Sequence, residues 1–183
     1  NAYQLDHILL EFGGRNRGRP TQTQNIACYL GDIPEMSKIT FPTASVQAYD
    51  PEYILWEKLT ALHQFSTQAR EPNPARLSRH WYDVDCLLQN KFANHLRSEQ
   101  AMTDVVEMKA QRWAEKGVDF GAVLEGNLQL IPSDDRLQKI AKDHLTAING
   151  RMFFSDPDKF ENIIKRLKLA EEQFNSSLKK TRS

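Results

Sequence analysis

Residues 50–64, with the sequence DPEYILWEKLTALHQ, mark the point at which the chain changes from strand-like to helical patterning. Asp50 is a good N-cap, Pro51 suits the first helical position, and apolar residues recur at helical spacing as far as Phe65. Lys58 lies within this apolar stripe, so its ammonium group leaves the helix on the packed side. The question that this helix raises is what a lysine does there.

The residues before this helix are predicted to form strands. Three short runs with β-branched or aromatic content are separated by glycine- and proline-containing segments: residues 5–12, 25–30 and 44–49. Further helices are predicted over residues 75–90, 98–116 and 133–148, and from Asp156 and Pro157 towards the C-terminus. The sequence therefore predicts an α+β protein, with a strand-rich part over residues 1–49 and a helical lobe of about five helices over residues 50–183.

The composition excludes several classes of protein. Lysine plus arginine and aspartate plus glutamate both number 24, so no overall charge attracts the chain to nucleic acid or to a membrane. Cys28 and Cys86 are too few and too far apart for a disulfide framework or a zinc site. With no secretory segment and no apolar run of about 20 residues, we expect a cytoplasmic protein without membrane contact.

The second helix carries a charged pair that could meet Lys58. In RLSRHWYDVDCLLQN, Arg79 and Asp83 are four residues apart and share one face. They could form a surface ion pair that contributes only a few tenths of a kcal/mol, and Lys58 could simply extend along apolar surface to water. Alternatively, the three side chains meet across a helix hairpin and bind phosphate, with Asp83 holding one of the cations in place.

Two neighbours of this pair have less certain roles. Asp85 lies on a different side of the helix and is predicted to be a solvated surface acid. His80 could join the polar cluster, although a lone histidine is more often a structural hydrogen-bonding residue. With the other histidines it shows no metal-ligand spacing.

The first predicted strand places Glu11 among apolar residues. A carboxylate there is costly unless it meets a cation or a metal ion, although an exposed edge of a sheet would also accommodate it. The following loop intersperses Arg15, Arg17 and Arg19 with glycines. Such a loop suits phosphates or RNA and is equally compatible with a plain turn, because no aromatic residues interleave for base stacking.

The runs WEKLTALHQ and RLSRHWYDVDCLL resemble the C-terminal signature of the AbiEii/AbiGii-type abortive-infection nucleotidyltransferases. These are bacterial proteins that are often encoded as toxins beside an antitoxin. The upstream LEFGGR is similar to the acidic strand and basic turn of that family. The resemblance covers roughly residues 5–88, and residues 98–183 resemble the family only in being helical.

The resemblance implies a nucleotidyltransferase-type sheet, of which residues 1–49 are a remnant, and transfer of a nucleotide from an NTP with Mg²⁺, in some members to tRNA. It implies Lys58 and Arg79 as triphosphate-contacting cations and Asp83 as the catalytic acid that positions Lys58 or the nucleotide. Glu11 is then a metal ligand, and Arg15 is a further nucleotide-binding candidate. His80 stands where many members have aspartate. An antitoxin is a possible partner.

One element of the family pattern is missing from the sequence. The Gly-Ser motif and the closely spaced pair of aspartates that precede the acidic strand are absent, and two-metal catalysis needs clustered carboxylates. Because the chain also begins at Asn1 without a methionine, we expect a catalytically inert fragment of a nucleotidyltransferase. Two alternatives stay open: a helical interaction module that docks a partner through the stripe from Phe160 to Leu178, and RNA binding through the arginine loop.

Overall fold

The structure, a computed structural model, describes residues 18–90, 98–153 and 157–181. These residues contain two strands and six α-helices. In chain order they are β1 (Thr21–Ala27), β2 (Thr43–Tyr49), α1 (Pro51–Thr67), α2 (Arg79–Gln89), α3 (Glu99–Arg112), α4 (Gly121–Leu124), α5 (Asp134–Asn149) and α6 (Phe160–Thr181). The predicted α+β class is confirmed, with a two-stranded antiparallel sheet followed by mostly helical structure. The boundary between residues 49 and 50 as a domain division stays a prediction.

The sheet pairs β1 with β2 from Thr21 opposite Tyr49 to Ala27 opposite Thr43. The run predicted at 44–49 is confirmed as β2, but the run predicted at 25–30 is displaced, because β1 covers Thr21–Ala27 and a 3-10 turn follows at Tyr29–Asp32. Polar side chains of β1 form hydrogen bonds across the sheet to side chains of β2. The amide of Gln47, for example, donates to the hydroxyl of Thr23 across the strands (2.9 Å).

The core is built around α1. Its start is as predicted, since the Asp50 carboxylate accepts a hydrogen bond from the backbone N–H of Glu52 (3.2 Å). The fully buried apolar side chains of this helix are those of Leu55, Trp56, Leu59 and Leu62. Within the described residues, no helix combines the length and apolar character that a bilayer crossing requires.

The apolar stripe of α6 packs into this same core. Ile163 and Leu167 are fully buried, and the ring of Phe174 lies 4.8 Å from that of Trp56, centroid to centroid. The helix begins at Phe160, a few residues later than predicted. The stripe that could have docked a partner is therefore largely used within the chain itself.

Two predicted helix ends are wrong. The second helix begins four residues late, at Arg79, because Arg76 adopts a positive φ of 61° and interrupts the helical path. The third helix ends at Arg112 instead of Lys116, and the carbonyl of Lys116 accepts a hydrogen bond from the backbone N–H of Ala69 (2.8 Å). Both differences lie where the chain turns back against α1.

Helical spacing within residues 133–148 predicts Leu145 among the core residues of α5, and this prediction is wrong. Leu145 is 60% exposed, whereas Ile140, His144 and Ala147 face the core. Leu145 follows His144 directly and so points about 100° away from it.

Candidate active site

Lys58 and Asp83 meet between α1 and α2. The Lys58 Nζ lies 2.7 Å from Asp83 Oδ2, and the two side chains are 32% and 39% exposed. The helices run in opposite directions here, because Phe65 near the end of α1 lies beside His80 near the start of α2. The ammonium group thus opens to solvent at the edge of the helix pair with a carboxylate fixed beside it, and it keeps further donors for an anion.

Arg79 contributes a second cation in the first turn of α2. It is exposed, and within the described part of the chain no carboxylate pairs with it. The predicted surface ion pair between Arg79 and Asp83 does not form, because Asp83 pairs with Lys58 of α1 instead. A planar guanidinium without a carboxylate partner is suited to bidentate contact with phosphate oxygens.

His80 is the third polar side chain at this place. Its ring lies 5.2 Å from the ring of Phe65. Burial, together with the nearby charges of Arg79 and Lys58, lowers the pKa of His80 to about 4, against the smaller opposing effect of Asp83. The imidazole is consequently neutral at pH 7.

Helix α5 holds the loop between α1 and α2. Arg136 donates to the carbonyl oxygens of Gln68 (2.8 Å) and Phe65 (3.3 Å) at the end of α1. Asp143 accepts from Ser78 at the start of α2, through the backbone N–H (2.9 Å) and through the hydroxyl (2.6 Å). The positive charge of Arg136 lies at the C-terminal end of α1, and the negative charge of Asp143 lies at the N-terminal end of α2, so each interacts favourably with the helix dipole. This helix therefore fixes the geometry of the hairpin that carries Lys58 and Asp83.

Asp85 anchors the other side of α2, and its prediction as a solvated acid is wrong. It is 3% exposed and accepts from Arg166 of α6 through both carboxylate oxygens, at 2.7 Å from Nε and 2.8 Å from Nη2. Gln89 also donates to Asp85 Oδ2 (2.7 Å). Arg166 further contacts Asp158 (2.8 Å), and these hydrogen bonds raise the pKa of Arg166 and lower that of Asp158 to about 2.

A buried ion pair joins α1 to α3 next to the candidate site. Lys109 Nζ lies 3.1 Å from Glu57 Oε2, and the Lys109 side chain is only 8% exposed. The same ammonium group lies 4.5 Å from the ring centroid of Trp113. Since Glu57 directly precedes Lys58, this pair restricts the rotation of α1 about its axis.

His63 has a structural role. Its Nδ1 accepts from the backbone N–H of Gln129 (3.1 Å), which leaves Nε2 to donate to the carbonyl of Asp119 (3.1 Å). Burial lowers the pKa of His63, opposed by the Asp119 carbonyl and carboxylate. The neutral ring thereby ties α1 to the segments that precede and follow α4.

The described residues do not provide a metal site. Over residues 18–90, 98–153 and 157–181, no three aspartate, glutamate, histidine or cysteine side chains come close enough together to hold an ion. Glu11, the predicted metal ligand, and Arg15, the predicted nucleotide contact, both lie outside the described residues, as does the predicted strand at 5–12. Their roles stay predictions.

Sequence reasoning missed Arg136, Asp143 and Arg166. The first two are seven residues apart and so share a face of α5, which was the available signal. The helix ends that they contact could not be assigned without the packing of α5.

The comparisons with known proteins identify a family. The model described as "Nucleotidyl transferase AbiEii toxin, Type IV TA system" matches residues 1–166. The match includes α3, α4 and α5, so the expectation that residues beyond 98 resemble the family only in being helical is wrong. Neither a curated protein nor a solved structure matches the chain.

Proposed function

Because the chain belongs to the AbiEii nucleotidyl transferase toxin family, we propose that Lys58, Arg79 and Asp83, at the solvent-facing edge of the α1–α2 pair, hold the triphosphate of an NTP during nucleotidyl transfer. The observation that carries this proposal is the 2.7 Å contact between Lys58 Nζ and Asp83 Oδ2, with Arg79 one turn away on the same helix as Asp83. Asp83 orients the ammonium group, and Arg79 supplies the second positive charge.

The chemistry explains why cations are needed there. An acceptor oxygen forms a bond to the α-phosphorus of the NTP, the bond from that phosphorus to the bridging oxygen breaks, and pyrophosphate leaves. Negative charge grows on the departing pyrophosphate, and Lys58 and Arg79 stabilise it more strongly than they stabilise the bound NTP. In a complete nucleotidyltransferase that contains this chain, Lys58 thus acts in catalysis as well as in binding.

The metal, the acceptor and the partner complete the proposal. Mg²⁺ accompanies the NTP, with Glu11 as its ligand, and Arg15 adds a contact to the nucleotide. No step is assigned to the ion, because the described residues offer it no cluster of ligands. The acceptor is tRNA, and the toxin acts in a system with an antitoxin, which the family description supports only as far as the pairing of toxin and antitoxin.

The test measures binding of each of the four NTPs with Mg²⁺ by calorimetry, because a chain that lacks the Gly-Ser motif and the aspartate pair is expected to bind an NTP without transferring a nucleotide. Lys58→Met and Arg79→Gln should each weaken NTP binding by about 10- to 100-fold, the value of hydrogen bonds to charged groups. Because Asp83 is 39% exposed and regains water, Lys58→Met should cost at most ~1 kcal/mol of folding stability.

Matched controls remove the same residue types elsewhere. Lys139→Met breaks an exposed ion pair with Glu71 (2.6 Å), and Arg70→Gln removes an exposed arginine. Both should bind NTP as the wild type does. Equal binding by all four variants, or no NTP binding by the wild type, would refute the proposed site.

A further inference from the structure

His80 is a polar residue beside Lys58, Arg79 and Asp83 to which the proposed function assigns no role. Its backbone N–H bonds to Leu77, but among the described residues neither ring nitrogen has a hydrogen-bond partner. One side of the ring is occupied by Phe65, 5.2 Å away between centroids. The ring is therefore held by packing, while its donor and acceptor remain free for a ligand.

We propose that His80 is a third phosphate-contacting residue of this site, donating a hydrogen bond to a phosphate oxygen and taking up a proton when the polyphosphate binds. This inference rests on the proposed function of Lys58 and Arg79. It assigns a role to a position at which many members of the family have aspartate.

The charges around the ring explain the proton uptake. The charged groups that act on His80 are Lys58 from α1 and Arg79 and Asp83 from α2, and Phe65, packed against it, is uncharged. In the free protein the two cations and partial burial disfavour the imidazolium. A bound polyphosphate reverses the sign of the local field, because it carries several negative charges, and so favours the protonated ring.

An aspartate at this position would act in the opposite way. It would repel the polyphosphate and suit a site that holds a metal ion instead. A histidine can donate from one nitrogen while neutral and from both once protonated. Histidine at this position therefore attracts phosphate, whereas aspartate would repel it.

The experiment uses inorganic tripolyphosphate as the probe and calorimetry on the full chain from pH 5.5 to 8, in buffers of different ionisation enthalpy so that proton uptake is counted. His80→Phe keeps the packing on Phe65 without a donor, and His80→Gln keeps a donor that does not titrate. The comparison with the wild type cancels protonation of the probe itself.

The expected results differ between the two variants. At pH 7, His80→Phe should bind about three- to tenfold more weakly than the wild type, and His80→Gln should bind nearly as well. As the pH falls, both should fall behind the wild type by up to about tenfold per pH unit. Both should lose the proton uptake that the wild type shows.

Two outcomes separate this inference from the proposed function. If Lys58→Met weakens binding but His80→Phe matches the wild type in affinity and proton uptake, the role of His80 is refuted and the phosphate site stands. If Lys58→Met and Arg79→Gln bind tripolyphosphate as the wild type does, the site itself is refuted, and the role of His80 with it.

Discussion

Replacing Arg166, which pairs with Asp85, should lower the free energy of unfolding by more than breaking an exposed ion pair does. In Arg166→Met, the Asp85 carboxylate keeps its burial, at 3% exposure, but loses both bonds from the guanidinium. Only Gln89 then remains as a donor. Breaking a fully buried pair by removing one partner costs ~3–5 kcal/mol, since the remaining charge is left uncompensated. Because the Arg166 side chain is itself 35% exposed, the expected cost here is lower, ~2–4 kcal/mol.

The magnitude can be followed by urea unfolding at pH 7 or by heating. For a chain of 183 residues, a loss of this size lowers the melting temperature by roughly 10 °C. Lys139→Met is the matched control, because its pair with Glu71 is about half exposed and should contribute at most ~1 kcal/mol. The double variant Asp85→Leu/Arg166→Met should recover most of the loss, since no unpaired charge remains buried.

One result would refute this reasoning. If Arg166→Met loses no more stability than Lys139→Met, then Asp85 is hydrated in the folded chain, as its position in the sequence alone suggests. In that case the double variant would also show no recovery, because there would be no buried charge to remove.

Two further measurements test how α2 is held in position and how His63 and His80 are protonated. Asp143→Ala should lower the free energy of unfolding in urea by ~2–4 kcal/mol, because it removes the cap at the start of α2 and leaves the buried Ser78 unpaired. Asp135→Ala, on the exposed face of α5, is the control and should cost at most ~0.5 kcal/mol. Equal losses of stability in the two variants would contradict the capping role of Asp143. In the folded chain the pKa values of His63 and His80 are both lowered, so below pH ~6.5 the unfolded chain binds more protons than the folded chain does. The free energy of unfolding should therefore fall as the pH drops below ~6.5, and His80 should contribute at most ~3 kcal/mol of this loss by pH ~4. His80→Gln should show a shallower fall between pH 7 and 5 than the wild type, and an identical slope would contradict the lowered pKa.

Much of the fold could be predicted because the signals are local. The Asp50 cap and Pro51 start α1, and the β-branched and aromatic run before them forms β2. Within a helix the residues that share a face follow from the 100° step, so Lys58 could be assigned to the packed side of α1, and Arg79 and Asp83 to one face of α2.

The errors lie where distant segments meet. Asp85 is buried by Arg166, 81 residues later in the chain, and no local pattern around Asp85 shows this contact. Strand β1 begins at Thr21, four residues before the predicted run, because its register is set by pairing with β2, about 20 residues later in the chain. Leu145 was assigned to the core from spacing alone, although α5 turns a different face inwards.

The sequence by itself determined the α+β class, the helices around residues 50–90 and the three charged residues of the candidate site, because each of these depends on residues within a few turns of one another. Only the tertiary structure decided that Asp83 pairs with Lys58 while Arg79 stays unpaired among the described residues, and that α5 and α6 hold the hairpin through Asp143 and Arg166. The physical reason is that a charge takes the partner that burial and geometry bring to it, and those are set by packing between segments far apart in the chain.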